Sequence, residues 1–135
     1  MTTLKAKRKR KKRKSHYHKG KYISHLAGEC SYRSGWEKKY MEYLDSDRSI
    51  SMWSYEKLII EYISNKKSKK VRKYYPDFYI EYNDGKKIVV EIKPSKKLKQ
   101  MSVLKKISAA IAWCTENDMT YKVLTEIELK SMGLI

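Results

Sequence analysis

The chain has 135 residues, enough for one buried core but not two, with 32 Lys and Arg against 15 Asp and Glu and a formal net charge of +17. No run of about 18 apolar residues exists, so a membrane span is excluded, and a charged start without an apolar stretch argues against a secretory signal. A basic excess of this size makes a polyanion the natural partner.

The charge is unevenly placed. Residues 1–22 carry eleven Lys or Arg and no acid, leaving 21 basic and 15 acidic residues over 23–135, still an excess of six. The expected division is a basic arm over 1–22, disordered when free, and one folded domain over 23–135. Lys7, Arg8, Lys9, Arg10, Lys11, Lys12, Arg13 and Lys14 form the densest block. It reads as a phosphate-binding arm that releases counterions from DNA, with a solubilising tail or a nuclear-import signal as the blander alternatives. His16 and His18 offer two metal-type ligands but no third at a suitable spacing. Cys30 and Cys114 lie far apart and belong to no CxxC pair, so buried thiols are expected and a zinc site has little support.

Regular structure is expected from near Ser31. Ser34 looks like a helix N-cap with Glu37 at the third helical position, a capping box, and Trp36, Tyr40 and Leu44 recur at helical spacing. Residues 52–55 and 58–63 are β-branched and aromatic and read as strands, followed by the basic turn 65–70. Residues 71–82 and 87–93 are the next two strands, separated by Asn83-Asp84-Gly85. A helix is predicted over 96–116, with Leu104, Ile107, Ile111 and Cys114 facing the sheet. Its start is basic, and Lys96, Lys97 and Lys99 could contact phosphate or simply form a solvated face. A last strand over 121–124 leads into a short helix capped by Thr125 and Glu128 and ended by Gly133. The order predicts an α/β fold, a mixed sheet with helices against it.

The chemistry concentrates on one hairpin. Glu91 and Lys93 are two apart on a strand and project from one face. A three-residue loop with Gly85 left-handed pairs Tyr82 with Lys86, and stepping back sets Asp77 opposite Glu91. Asp77, Tyr79, Val89, Glu91 and Lys93 then share one face. Phe78, Ile80, Tyr82, Ile88, Val90 and Ile92 share the other, which is wholly apolar or aromatic. A two-residue loop would slip the register and drive Asp77 into the apolar side, so the burial pattern selects the register that assembles a site.

Paired carboxylates give an oxygen site suited to Mg2+, with Mn2+ a substitute. A cation there would polarise a phosphate oxygen, with Lys93 orienting water and offsetting charge. Glu37 could add a third carboxylate from the first helix. The bland alternative is a hairpin with one solvated, charged face, which fits poorly with Asp77 in a tyrosine-rich, apolar stretch.

Pro76-Asp77 and Glu91-Ile92-Lys93 resemble the PD-(D/E)XK nuclease superfamily. The segment Tyr32-Arg-Ser-Gly-Trp-Glu37 is similar to the helix start of the phage endonuclease I family of junction resolvases and of transposon-end endonuclease subunits. The resemblance extends to the head-completion family of T-even-type tailed phages. That family shows a similar Tyr-Arg-Ser-x-Trp-Glu-Lys start, an aromatic stretch like that near Trp53, the Glu-Ile-Lys-Pro of residues 91–94, and a pattern like residues 121–126 and 129–133. The likeness spans roughly residues 31–133. The long basic arm and the short segment before the last helix depart from it.

The resemblance implies a restriction-endonuclease-like mixed sheet flanked by helices, with Glu37, Asp77, Glu91 and Lys93 catalytic and the three acids holding the metal. It implies a Mg2+-dependent DNA endonuclease that acts on packaged DNA or at the portal or neck. DNA contacts are expected from the arm, Arg33, Lys96, Lys97 and Lys99. Portal or neck proteins and a second copy of the chain are the further expected partners, without a membrane, in the virion head or neck and the host cytoplasm. A junction resolvase or transposon-end nuclease, and a silent DNA-binding neck protein, are the alternatives.

Overall fold

The computed structural model describes residues 18–135, and the basic block over 7–14 lies outside them. A hairpin comes first, β1 (Gly20–Ser24) and β2 (Gly28–Tyr32). Ordered structure thus begins ahead of Ser31, and β1 takes in residues 20–22 of the expected arm. Little in these residues alternates in polarity. The hairpin is instead held by Asp45, whose carboxylate accepts from Tyr22 Oη and Ser24 Oγ at 2.6 Å each and from Trp53 Nε1 at 2.8 Å.

Helix α1 (Gly35–Ser46) starts where expected, with Ser34 Oγ accepting from the Glu37 N–H at 3.2 Å. Its buried residues Glu37, Tyr40, Met41 and Leu44 follow a three-four-seven stripe. Next come β3 (Ile50–Tyr55), β4 (Ile60–Asn65), β5 (Lys70–Tyr74), β6 (Phe78–Tyr82) and β7 (Lys87–Ile92). The expected single strand over 71–82 is broken at Tyr75-Pro76-Asp77, where proline has no N–H to give a ladder. As a result β5 pairs with β4 in a separate two-stranded sheet, while β6 joins the main sheet, of order β3-β6-β7-β8 with β8 at Thr120–Leu124.

The β6–β7 register agrees with the sequence reading. Phe78 faces Val90 and Ile80 faces Ile88, which places Asp77 opposite Glu91. The turn is the expected one: Tyr82 N–H donates to the Lys86 carbonyl at 2.8 Å, Gly85 N–H to the Tyr82 carbonyl at 2.9 Å, and Gly85 has φ +89°. Only a residue without Cβ adopts that angle cheaply.

A 3-10 turn over Ser95–Lys99 precedes α2 (Met101–Glu116), so the helix proper begins five residues later than predicted. Of the predicted buried face, Cys114 is borne out and Leu104 and Ile111 are not. Val103, Ala110 and Cys114 are buried, whereas Leu104 and Ile111 are 44% and 51% exposed. The helix carries two apolar stripes. Docking onto β4 and β8 selects the one in which small Ala110 permits close approach to Ile60 and Tyr74. Helix α3 (Glu126–Ser131) has the expected capping box of Thr125 and Glu128, and Leu134 N–H bonds back to Leu129 past Gly133 at φ +75°.

Sheet β3-β6-β7-β8 therefore has helices on both faces. On one side α1 and α3 pack Tyr40, Met41, Leu44 and Leu129 against Phe78, Ile80, Ile88 and Val90. On the other, α2 covers Tyr121 and the β4–β5 base. The mixed sheet, with β8 parallel to β7 and the rest antiparallel, is of the restriction-endonuclease-like kind. Both cysteines are buried free thiols, and no described helix is long and apolar enough to cross a membrane.

Candidate active site

Asp77 follows buried Pro76 at the mouth of β6. Its Oδ2 accepts from the Ile92 N–H at 2.8 Å, capping the hairpin ladder where the strands part. Glu91, on β7, is 7% exposed, and its Oε2 accepts from Tyr74 Oη at 2.9 Å. Tyr74 Oη is also 2.9 Å from Tyr121 Oη, so β5, β7 and β8 meet at this carboxylate. Lys93 continues the same face, its backbone N–H bound to the Leu124 carbonyl at 2.9 Å.

Glu37 comes in from the first turn of α1, 6% exposed. Its Oε1 accepts from Tyr55 Oη at 2.5 Å, and Oε2 from Ser34 Oγ at 3.1 Å and the Arg33 N–H at 3.3 Å. The reciprocal half of the expected capping box thus goes to Arg33 rather than to the N-cap N–H. Glu37, Asp77, Glu91 and Lys93 all line one recess, together with Arg33 and Lys97. An adjoining cleft of about 560 Å³ is lined by Asp77, Glu91, Lys93, Arg33 and Glu56, and by Lys73, Tyr74, Tyr75 and Lys106.

Glu56 was not singled out in the sequence. Its carboxylate, with those of Glu37 and Asp77, offers one oxygen each, all within 4.8 Å of one another. Arg33 Nη2 lies 3.0 Å from Glu56 Oε2. The signal was present in the register: Tyr55 pairs with Phe78, so the residue just after β3 stands beside Asp77. Glu91 is outside that oxygen trio, its Oε2 engaged by Tyr74. Lys73 and Lys106 are the other site-lining residues that sequence reasoning did not pick out, because β5 and α2 reach the site only through the fold.

Electrostatics reflect this crowding. Burial, then the charges of Glu91 and Glu37, pushes the Asp77 carboxyl well above its ordinary range. Burial also raises Glu91, opposed by the neighbouring Lys93 ammonium and the Tyr74 hydroxyl. Glu37 is raised by burial against the hydrogen bonds from Tyr55, Ser34 and Arg33. An all-oxygen set of mutually repelling carboxylates beside a cationic wall fits a hard divalent cation such as Mg2+ or Mn2+.

Of the residues expected to touch DNA, Arg33 and Lys97 line the recess, whereas Lys96 and Lys99 are exposed and line neither space. Residues 7–14 lie outside the described residues.

Two comparisons bear on identity. Over 79 residues the chain is 38% identical to the head completion nuclease of Enterobacteria phage T4, a stretch that is 56% of this chain and 52% of that protein. The chain thus spans about half the length of that relative. Residues 47–126 match the family described as TnsA-like endonuclease N terminal. The matched stretch contains Glu56, Asp77, Glu91 and Lys93, and Glu37 precedes it. As the match takes in more than half of the 135 residues, the chain belongs to the TnsA-like endonuclease N-terminal family.

Proposed function

We propose that this protein is a divalent-metal-dependent endodeoxyribonuclease whose chemistry is carried by Glu37, Asp77, Glu91 and Lys93, with Glu56 as an additional metal ligand. The observation that carries the reading is the placement of Asp77 opposite Glu91, with Lys93 on the same face, where Glu37 and Glu56 also arrive. Family membership supports the same reaction class.

Glu37, Glu56 and Asp77 would hold the cation, with Glu91 at its border. The bound ion supplies Lewis-acid stabilisation of charge on the phosphoryl oxygens. The remaining work falls to the chain. The Lys93 ammonium orients the attacking water and balances charge that grows on the phosphate. Glu91, raised by burial and hydrogen-bonded by Tyr74, is suited to take the proton that water must lose. Arg33, paired with Glu56 at 3.0 Å, lines the same cleft, where it can meet a non-bridging phosphate oxygen.

The relative's name favours a role in phage head completion, and action on packaged DNA or at the portal or neck, in the virion or host cell, is our reading of that role. The family match supports a second reading, a transposon-end nuclease. Purified protein offered linear, circular and branched DNA, with Mg2+, Mn2+ or EDTA, tests both. Cleavage is expected with the metals, and not with EDTA or in Lys93→Ala. Wild-type protein that leaves every substrate intact in Mg2+ and Mn2+ rules the nuclease out.

A further inference from the structure

Resting on the nuclease reading, we infer that the β4–β5 hairpin and the start of α2 form a second phosphate-binding track, which takes the backbone of a DNA strand as it leaves the catalytic cleft. Among the described residues the hairpin pairs with nothing but itself. Its base is fixed at the site, with Ile60 buried against Ala110 and Tyr74 bonded to Glu91. Its tip carries Lys66, Lys67, Lys69 and Lys70.

Between the hairpin and α2 runs a groove of about 700 Å³ whose charged lining residues are Lys70, Arg72, Lys105 and Lys106, with no carboxylate among them. Lys106 lines both this groove and the catalytic cleft, so the two adjoin at this residue. On β5, alternate residues Lys70, Arg72 and Tyr74 share a face and step about 6.7 Å apart. That face leads from the tip of the hairpin to Glu91, and its step is comparable to the distance between neighbouring phosphates of one strand.

The cations are also oriented before any ligand arrives. Arg72 Nε donates to Ser64 Oγ at 3.2 Å, and Lys105 Nζ to the Ser64 carbonyl at 3.5 Å, which ties β5 and α2 to the same residue of β4. A run of cations grips phosphate backbone without regard to sequence, positioning the strand rather than selecting it. An acidic protein surface is the competing occupant of such a groove.

Salt titration of DNA binding by the full chain in EDTA is the test, on short duplex DNA. Replacing Lys70, Arg72 and Lys105 together by Ala is expected to flatten the slope of log K against log salt by about 2 to 3, roughly one contact each. A charge-matched variant of Lys39, Lys87 and Lys130, two on the α1 and α3 helices and one at the far end of β7, is expected to leave it unchanged. Melting temperatures equal to wild type confirm folding of both. Should the triple variant not fold, Lys70→Ala alone is expected to lower the slope by about 0.9. A slope unmoved by the hairpin variants, or lowered equally by the control, overturns the track. Because the cation is chelated, a flattened slope in a protein that never cuts DNA would defeat the nuclease reading and leave the track standing.

Discussion

Glu56 and Asp77 stand side by side across neighbouring strands, the Glu56 N–H donating to the Asp77 carbonyl at 2.9 Å one step beyond the last β3–β6 pair. Asp77 in turn stands opposite Glu91 across β6–β7. Three adjacent strand ends thus each carry a carboxylate, an arrangement that like-charge repulsion disfavours in a sheet. Glu56 also holds φ at +53°, a left-handed angle that costs a residue with a Cβ about 1–2 kcal/mol. Strain and repulsion concentrated at one point suit a cation that relieves the repulsion.

Glu56→Gln removes the charge at nearly constant shape. Mn2+ affinity, read by calorimetry, is expected to weaken about tenfold or more, equivalent to roughly 1.4 kcal/mol. The melting temperature of the metal-free protein should hold or rise. Unchanged Mn2+ affinity would remove Glu56 from the ligand set.

Tyr74→Phe keeps the buried ring and takes away the hydroxyl shared by Glu91 and Tyr121. If Tyr74 positions Glu91, kcat for DNA cleavage should fall by roughly tenfold while KM barely moves. A change in KM alone would point instead to a role for the hairpin in holding DNA.

Much of this site was legible because it is local. The Asn83-Asp84-Gly85 loop fixes a register through turn chemistry, and the apolar run of Phe78, Ile80, Ile88, Val90 and Ile92 leaves only one side for Asp77 and Glu91. The caps at Ser34 and Thr125 are equally local, a side chain answering an N–H within three residues. Non-local features were not readable. Glu56 belongs to the site only because β3 runs beside β6, and Tyr74 only because Pro76 diverts β5 out of the main sheet. On α2, Leu104 and Ile111 matched a helical stripe as well as Val103 and Ala110 did, and the choice was made by the surface the helix docks on. Helical periodicity shows that a face is apolar, but docking decides which of two such faces is covered.

Asp45 is the expected point of failure for the β1–β2 hairpin. Burial alone would raise its carboxyl, yet hydrogen bonds from Ser24, Tyr22 and Trp53 hold it below the ordinary range. Asp45→Ala leaves those donors without an acceptor and should cost about 3 kcal/mol, a fall of roughly 10 °C in Tm. A lowered carboxyl contributes its stability above the unfolded pKa, near 3.9, and that contribution is lost as pH falls through the folded value. The gap between wild type and Asp45→Asn should therefore be full at pH 6 and narrow as the solution is acidified. A gap independent of pH would mean that the hydrogen bonds do not depend on the carboxylate charge.

The acids proposed for catalysis should have the opposite signature. Burial and mutual repulsion raise Asp77, burial raises Glu91 and Glu37, and the folded protein therefore keeps protons that the unfolded chain releases near pH 4. The stability these groups contribute is complete below that unfolded value and is lost as pH rises through the folded ones. In EDTA, Tm should then decline from mildly acidic to alkaline pH, and Glu91→Gln should melt higher than wild type at pH 8 although it no longer cuts DNA. Added Mn2+ should reverse the order, because the cation must displace protons and binds the wild-type cluster better as pH rises. A Glu91→Gln protein that melts lower than wild type at pH 8 in EDTA would show that Tyr74 and Lys93 stabilise this carboxylate by more than its neighbours repel it.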